Sequence, residues 1–244
     1  MPRPTARRRP AYPFLQAIED LSVADPKLRR LIDRAGPFEL RISGSLSPFE
    51  ALTESIIYQQ LHGKAAAAIH KRLLASFEDV CGAGVHPSPE HLLECPTPQL
   101  RAAGLSANKT LALRDLSAKT IDGTVPTLAR IRRMSDEAII EHLTQVRGVG
   151  RWTVEMMLIF RLGRPDVLPT SDYGVRKGFA LTFGKLKPTD KVTPAELPKP
   201  AEMEKRAAKW HPWCSVASWY LWRACDLAKP GGAAKPAMEP KPPA

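Results

Sequence analysis

The segment Gln145-Val-Arg-Gly148-Val-Gly150-Arg-Trp152-Thr-Val154 constrains this chain more than any other. Two glycines one residue apart permit positive φ and let a backbone come close to a ligand, and the second is placed to open a new helix. N–H groups exposed at such a turn suit a phosphate oxygen. Before the turn, Ser135-Asp-Glu-Ala-Ile139-Ile140-Glu-His-Leu143 has a cap residue, early acids and an apolar stripe with a period of about 3.6 residues, so a short amphipathic helix is expected. After it, Trp152 to Leu162 is apolar nearly all round, interrupted by Thr153, Glu155 and Arg161, which predicts a buried helix. Helix, glycine hairpin, buried helix is the expected local structure, although a Gly-x-Gly pair by itself also fits a plain turn or a helix C-cap.

Elsewhere the periodicity is mostly helical, with no alternating series of strands, and an all-α fold follows. Ser47-Pro48-Phe-Glu50 is a capping box with proline at the first helical position, starting a helix to about Tyr58 that Gly63 breaks. A second helix is expected from Lys64 through Phe77, and others near residues 96–103, 107–119, 173–182, 202–209 and 215–227. Residues 185–200, dense in Pro, Thr and Lys, read as a loop. Residues 1–10 and 228–244 mix Pro with Arg or Lys, offer little to pack, and are expected to be disordered tails.

A chain of 244 residues can bury a core without disulfide staples. Its net charge of +11 suits a polyanionic partner, although the ends carry +4 and +2 of it and leave +5 for the body. No apolar stretch follows the N-terminal arginines and none approaches a membrane span, so a soluble intracellular protein is expected. Cys81, Cys95, Cys214 and Cys225 lack zinc-like spacing and are expected to be free thiols.

Four segments together resemble the helix-hairpin-helix superfamily of base-excision DNA glycosylases, and within it the AlkA/Mag type of 3-methyladenine DNA glycosylase. They are Ser55-Ile-Ile-Tyr-Gln59-Gln60-Leu61-His62-Gly63-Lys64, the hairpin from Val146 to Thr153, Leu168-Pro-Thr-Ser-Asp172-Tyr-Gly-Val-Arg-Lys-Gly-Phe179, and Trp210-His-Pro-Trp213 through Trp222. The resemblance covers roughly residues 12–226 and implies two packed helical subdomains with a DNA-binding cleft. One would take residues 11–54 and 171–227, the other, with the hairpin, residues 55–170. AlkA's additional N-terminal β domain has no room before Ser47.

That resemblance assigns roles residue by residue. Asp172 stands where the family's catalytic aspartate does, close to the sugar that becomes oxocarbenium-like as the base departs. On its own, an aspartate before Tyr173-Gly-Val-Arg reads as a helix N-cap, and the two roles can coexist. Trp152, Met156 and Trp222 correspond to the lining of the base pocket, with Met156 in place of a tyrosine. Trp152 replaces the lysine that acts as nucleophile in strand-nicking relatives, which implies a monofunctional enzyme of the 3-methyladenine glycosylase II type without lyase activity. Its substrates would be alkylated purines of the 3-methyladenine and 7-methylguanine type in double-stranded DNA. Gln60 and His62, or else Leu61, would fill the gap left by the flipped base. Gly148, Val149, Gly150 and Arg151 would meet a phosphate. The carbonyls of Thr144, Val146 and Val149 would hold Na+ or K+. No other cofactor is implied, and with only Cys214 and Cys225 near the C-terminus an iron–sulfur cluster is not expected. A monomer, cytoplasmic and nucleoid-associated in a bacterium, completes the expectation. A different lesion range, for instance ethenoadenine or deaminated purines, a damage-binding protein without turnover and a generic basic nucleic-acid-binding module are the alternatives.

Overall fold

The computed structural model describes residues 7–43, 47–184, 186–187, 190 and 192–229. Most of both expected tails, residues 1–6 and 230–244, lies outside the described residues. Among the described residues the fold is helical apart from one antiparallel pair, in which Arg7 is opposite Ser43 and Arg8 opposite Ile42. Arg7–Arg8 therefore belongs to the fold and not to a disordered tail. A two-residue ladder is made by backbone groups and leaves no side-chain pattern to read.

The chain forms two compact units, one from the described residues of 44–157 and the other from those of 7–43 and 158–239. The divisions fall after residues 43 and 157, where the sequence suggested 54 and 170. The first shift arises because the Pro48–Tyr58 helix packs against Gly63–Ala75 and Ala107–Ile121, burying Leu52, Ile56 and Ile57 within its own unit. The second arises because Leu158–Leu162 packs on the Ile42–Ser43 strand.

In the unit of residues 44–157, polar caps set the helix starts. Ser47 Oγ accepts from Glu50 N at 3.2 Å and Glu50 Oε2 accepts from Ser47 N at 2.7 Å, completing the expected capping box. Ser88, Ser106, Thr127 and Ser135 cap Pro89–Glu94, Ala107–Ile121, Leu128–Ile131 and Asp136–Leu143, each through a side-chain oxygen that accepts from the amide three residues on. Leu73, Leu92, Leu100, Leu113, Leu116, Ile139 and Leu143 form the buried interior. The second helix of the pair around residue 60 starts at Gly63 itself; the break lies at residues 59–62.

In the other unit, the Cys214–Leu227 helix packs on Tyr173–Thr182, Pro26–Ala35 and Phe14–Ala24. Gly178 makes the first of these contacts possible, since a Cβ there would collide with the Leu221 carbonyl. Asp25, with no solvent exposure, caps Pro26–Ala35 through the N–H groups of Lys27 and Leu28. It also accepts from Arg206 at 2.8 and 2.9 Å and from Trp210 Nε1 at 3.2 Å, with Lys209 Nζ 3.2 Å away. The helix expected to run from Trp152 to Leu162 is α-helical over Arg151–Met157 and continues as a π-helical turn over Leu158–Leu162. None of the described helices is long and apolar enough to cross a membrane.

Candidate active site and nucleic-acid interface

Asp172 is the N-cap of Tyr173–Thr182, and only 8% of it is exposed. Its Oδ1 accepts from Val175 N at 2.7 Å and from Trp222 Nε1 at 2.8 Å. Backbone geometry at one helix start and an indole on a second helix thus fix the carboxylate together. The Trp222 ring lies 5.5 Å from that of Phe160, tilted by 37°. Gly174 leaves the space this needs, because a Cβ there would stand 2.7 Å from Trp222 Cδ1 and 3.1 Å from Asp172 Oδ1. Cys225 Sγ donates to the Gly174 carbonyl at 3.3 Å on the same side. The tie between Trp222 and Asp172, and the part of Phe160, escaped sequence reasoning. Trp222 was legible as an aromatic of the site, whereas its donor role depends on a pairing across 50 positions.

The hairpin and the 59–62 turn lie in the other unit. Gly148 has φ of 76°, a left-handed value that favours glycine, whereas Gly150 has no positive φ and opens the next helix. A Cβ on Gly150 would meet nothing within 4 Å, so its surroundings are open. Asp115 Oδ2 accepts from Arg147 N at 2.7 Å, and Lys119 bonds both Asp115 and the Gln145 carbonyl. Burial pushes the Asp115 carboxyl up, but Lys119 and the Arg147 amide outweigh it and hold it below the usual range. The Val146 carbonyl accepts from Val149 N at 3.0 Å.

Gln59 joins the two loops, since its Nε2 donates to the Gly148 carbonyl at 2.8 Å. Beneath the turn, Lys109 Nζ donates to the carbonyls of Ile57 and Gln59 at 2.6 and 2.8 Å, and burial lowers its pKa. Gln60 is exposed and has φ of 56°, a left-handed value found at no other non-glycine among the described residues. His62 is exposed and Leu61 half-buried.

Three further expected residues follow the hairpin. Trp152 is half-buried and Met156 is buried. The Arg151 guanidinium reaches Glu137 at 2.8 and 2.9 Å and Glu155 at 3.1 Å, so its side chain is committed to carboxylates of its own unit. Glu155, buried to 4% exposure, is ion-paired with Arg151.

The chain belongs to the HhH-GPD superfamily of base excision DNA repair proteins, whose model matches residues 53–203. That span contains the 59–62 turn, the hairpin and Asp172, and ends before Trp222. DNA-3-methyladenine glycosylase 1 of Schizosaccharomyces pombe is 37% identical over 212 residues, covering 85% of this chain and 86% of that protein. The structure of the 3-methyladenine DNA glycosylase Mag1 of the same yeast, in complex with abasic DNA, matches with a TM-score of 0.70 at 35% identity, covering 85% of this chain and 95% of that one. A DNA-3-methyladenine glycosidase from Bacillus halodurans matches with a TM-score of 0.71 at 29% identity over 90% and 92% of the two chains.

Proposed function

We propose that this protein is a monofunctional DNA glycosylase that removes alkylated purines, of the 3-methyladenine and 7-methylguanine type, by hydrolysing the N-glycosidic bond in base-excision repair. The observation that carries this reading is the Asp172 carboxylate, held by Val175 N–H and Trp222 Nε1 in a chain 37% identical to a protein named for 3-methyladenine. Methylation at a ring nitrogen gives the base a positive charge, which attracts it to aromatic faces and makes it a good leaving group. As the bond to the sugar lengthens, positive charge grows at the anomeric carbon. A fixed carboxylate stabilises that charge without reorganising, and water completes the hydrolysis.

Trp152 offers no amine where lysine would form a Schiff base, so the product is an intact abasic site. Trp152 and Met156 are base-contacting residues in this proposal. Gln60 and His62, exposed on their turn, take the place of the extruded base, and the amides of Gly150 and Arg151 meet a phosphate. The carbonyls of Thr144, Val146 and Val149 would hold Na+ or K+, whose charge would draw the same phosphate closer. The protein acts as a monomer on double-stranded DNA.

Incubation with methylated DNA and chromatography of the freed bases tests the reaction. Methylated purines should appear, borohydride should trap no covalent complex, and strand breaks should need alkali. Binding without release of any base would replace the proposal by a damage-recognition role, and efficient trapping would reveal an amine nucleophile.

A further inference from the structure

At the start of the Cys214–Leu227 helix, three side chains with metal-binding chemistry converge that base excision does not use. Asp166, His211 and Cys214 each offer one ligand atom, and these atoms all lie within 4.8 Å of one another. His211 Nδ1 is 2.7 Å from Asp166 Oδ2 and 3.7 Å from Cys214 Sγ. The Cys214 amide donates to Asp166 Oδ1 at 3.2 Å, which keeps the carboxylate beside the sulfur. Cys214 is fully buried, while the His211 side chain is 57% exposed, so the group has a dry floor and a wet side.

We propose that Asp166, His211 and Cys214 form a binding site for a divalent cation of the zinc class, with water as the remaining ligand. A tetrahedral ion with Zn–N of about 2.0 Å and Zn–S of about 2.3 Å separates those two ligand atoms by roughly 3.5 Å. The 3.7 Å between Nδ1 and Sγ matches that spacing. The carboxylate stands closer to the imidazole than a shared ion allows and must swing outward by roughly half an ångström. It is half-exposed and can do so. One oxygen, one nitrogen and one sulfur make a poor set for magnesium or calcium, which take oxygen ligands, and a good one for zinc or cobalt. On binding, the Cys214 Sγ–H bond breaks, its proton passes to water and the thiolate coordinates. His211 coordinates through neutral Nδ1 and gives up its contact with Asp166.

The position lends the ion a consequence. Ser215 N donates to the Pro165 carbonyl at 2.9 Å, Val167 N to Ser215 Oγ at 3.0 Å, and Ser218 Oγ to the Val167 carbonyl at 3.3 Å. Residues 164–167 therefore lie along the helix that carries Trp222, just before the segment that ends at Asp172. A cation bridging Asp166 to Cys214 ties both partners of the Trp222–Asp172 hydrogen bond to one point.

The full-length protein, stripped with a chelator under reducing conditions, is titrated with Co2+ alone. One Co2+ per chain should bind, with tetrahedral visible bands and a thiolate-to-cobalt band in the near ultraviolet, and Zn2+ should bleach both. Cys214→Ala should lose the thiolate band. His211→Ala, altering an exposed side chain, should weaken Co2+ binding by roughly 10-fold or more. Thermal melting of the wild type should rise with Zn2+, and that of His211→Ala should not. Absence of the thiolate band in wild type would overturn the proposal, as would unchanged affinity in His211→Ala. A band persisting in Cys214→Ala would also overturn it, placing the ion at another thiol such as Cys81, whose Sγ is 3.3 Å from His91 Nδ1.

Discussion

Trp222 Nε1 donates to Asp172 Oδ1 at 2.8 Å, so the indole holds the carboxylate proposed to face the reacting sugar. A side chain anchored by one backbone amide could still swing about its χ angles. With a second donor on another helix, turning the carboxylate breaks a charge-assisted bond.

Replacing Asp172 by Asn keeps the cap geometry and removes the charge. Single-turnover base release should fall roughly 100-fold or more, in line with ~3 kcal/mol for one well-placed electrostatic partner. Affinity for damaged DNA should persist. Trp222→Phe keeps a ring beside Phe160 and removes the donor; about a 10-fold loss is expected, since hydrogen bonds to charged groups contribute ~1.5–3 kcal/mol. Near wild-type release by Asp172→Asn would end the catalytic assignment.

The two hairpin glycines should separate into a fold effect and a binding effect. Gly148→Val places a β-branched residue at φ of 76° and should lower Tm together with affinity for every duplex, damaged or intact. Gly150→Ala meets open space and carries no positive φ, so Tm should stay close to wild type. If a phosphate sits against its amide, the added methyl intrudes on the ligand and duplex affinity falls all the same. Filter-binding or fluorescence titration at fixed salt would decide. Unchanged affinity in Gly150→Ala would move the phosphate contact elsewhere.

The features legible in the sequence are those written in local code. The Ser47 capping box, the Ser135 cap, Gly148 and the Asp172 cap each depend on residues within a few positions, and each is present. What escaped depends on distance along the chain or on brevity. Asp25 meets Arg206 from 181 positions away, and no periodicity announces it. The bond from the Arg151 guanidinium to Glu137 spans 14 positions and leaves no local sign in the sequence. Glu78–Cys81 and Leu128–Ile131 span about one turn each, too short for a helical period. Phe14–Ala24 and Pro26–Ala35 were also unforeseen, though Asp25-Pro26 is a cap followed by a first-turn proline and could have marked the second.

Asp25 should make stability depend on acid pH. Burial would raise its pKa, but hydrogen bonds from Arg206, Trp210 and Lys209 outweigh it and hold the carboxyl below its usual value. A depressed folded-state pKa adds stability that is fully present above the unfolded value, near ~3.9, and is lost as pH falls through the folded one. Asp25→Asn should cost about 2–3 kcal/mol at pH 7, because Arg206 and Lys209 are only partly solvated and lose their counter-charge. For a chain of this size that is roughly 4–12 °C in Tm. The gap between wild type and variant should narrow below about pH 4, and a gap constant from pH 7 to pH 3 would show that the charge contributes nothing.

The 59–62 turn should trade stability for activity. Gln60 at φ of 56° stores roughly 1 kcal/mol that glycine would not, and Lys109 below it and Gln59 beside it hold the strained shape. Gln60→Gly should leave Tm unchanged or slightly higher while lowering excision from duplex DNA, because the side chain proposed to fill the emptied stack is gone. Excision of an already unpaired lesion, where extrusion costs less, should suffer less. The Gln60→Ala/His62→Ala double variant should show the same bias toward the duplex substrate. Lys109→Met should approach it without touching an exposed residue, since the carbonyls of Ile57 and Gln59 lose their donor and the turn relaxes. Single-turnover rates on matched paired and unpaired substrates, alongside thermal melts, measure both sides of the trade. Equal losses on the two substrates would make residues 59–62 an element of the fold alone, and the residue that fills the stack would have to lie elsewhere.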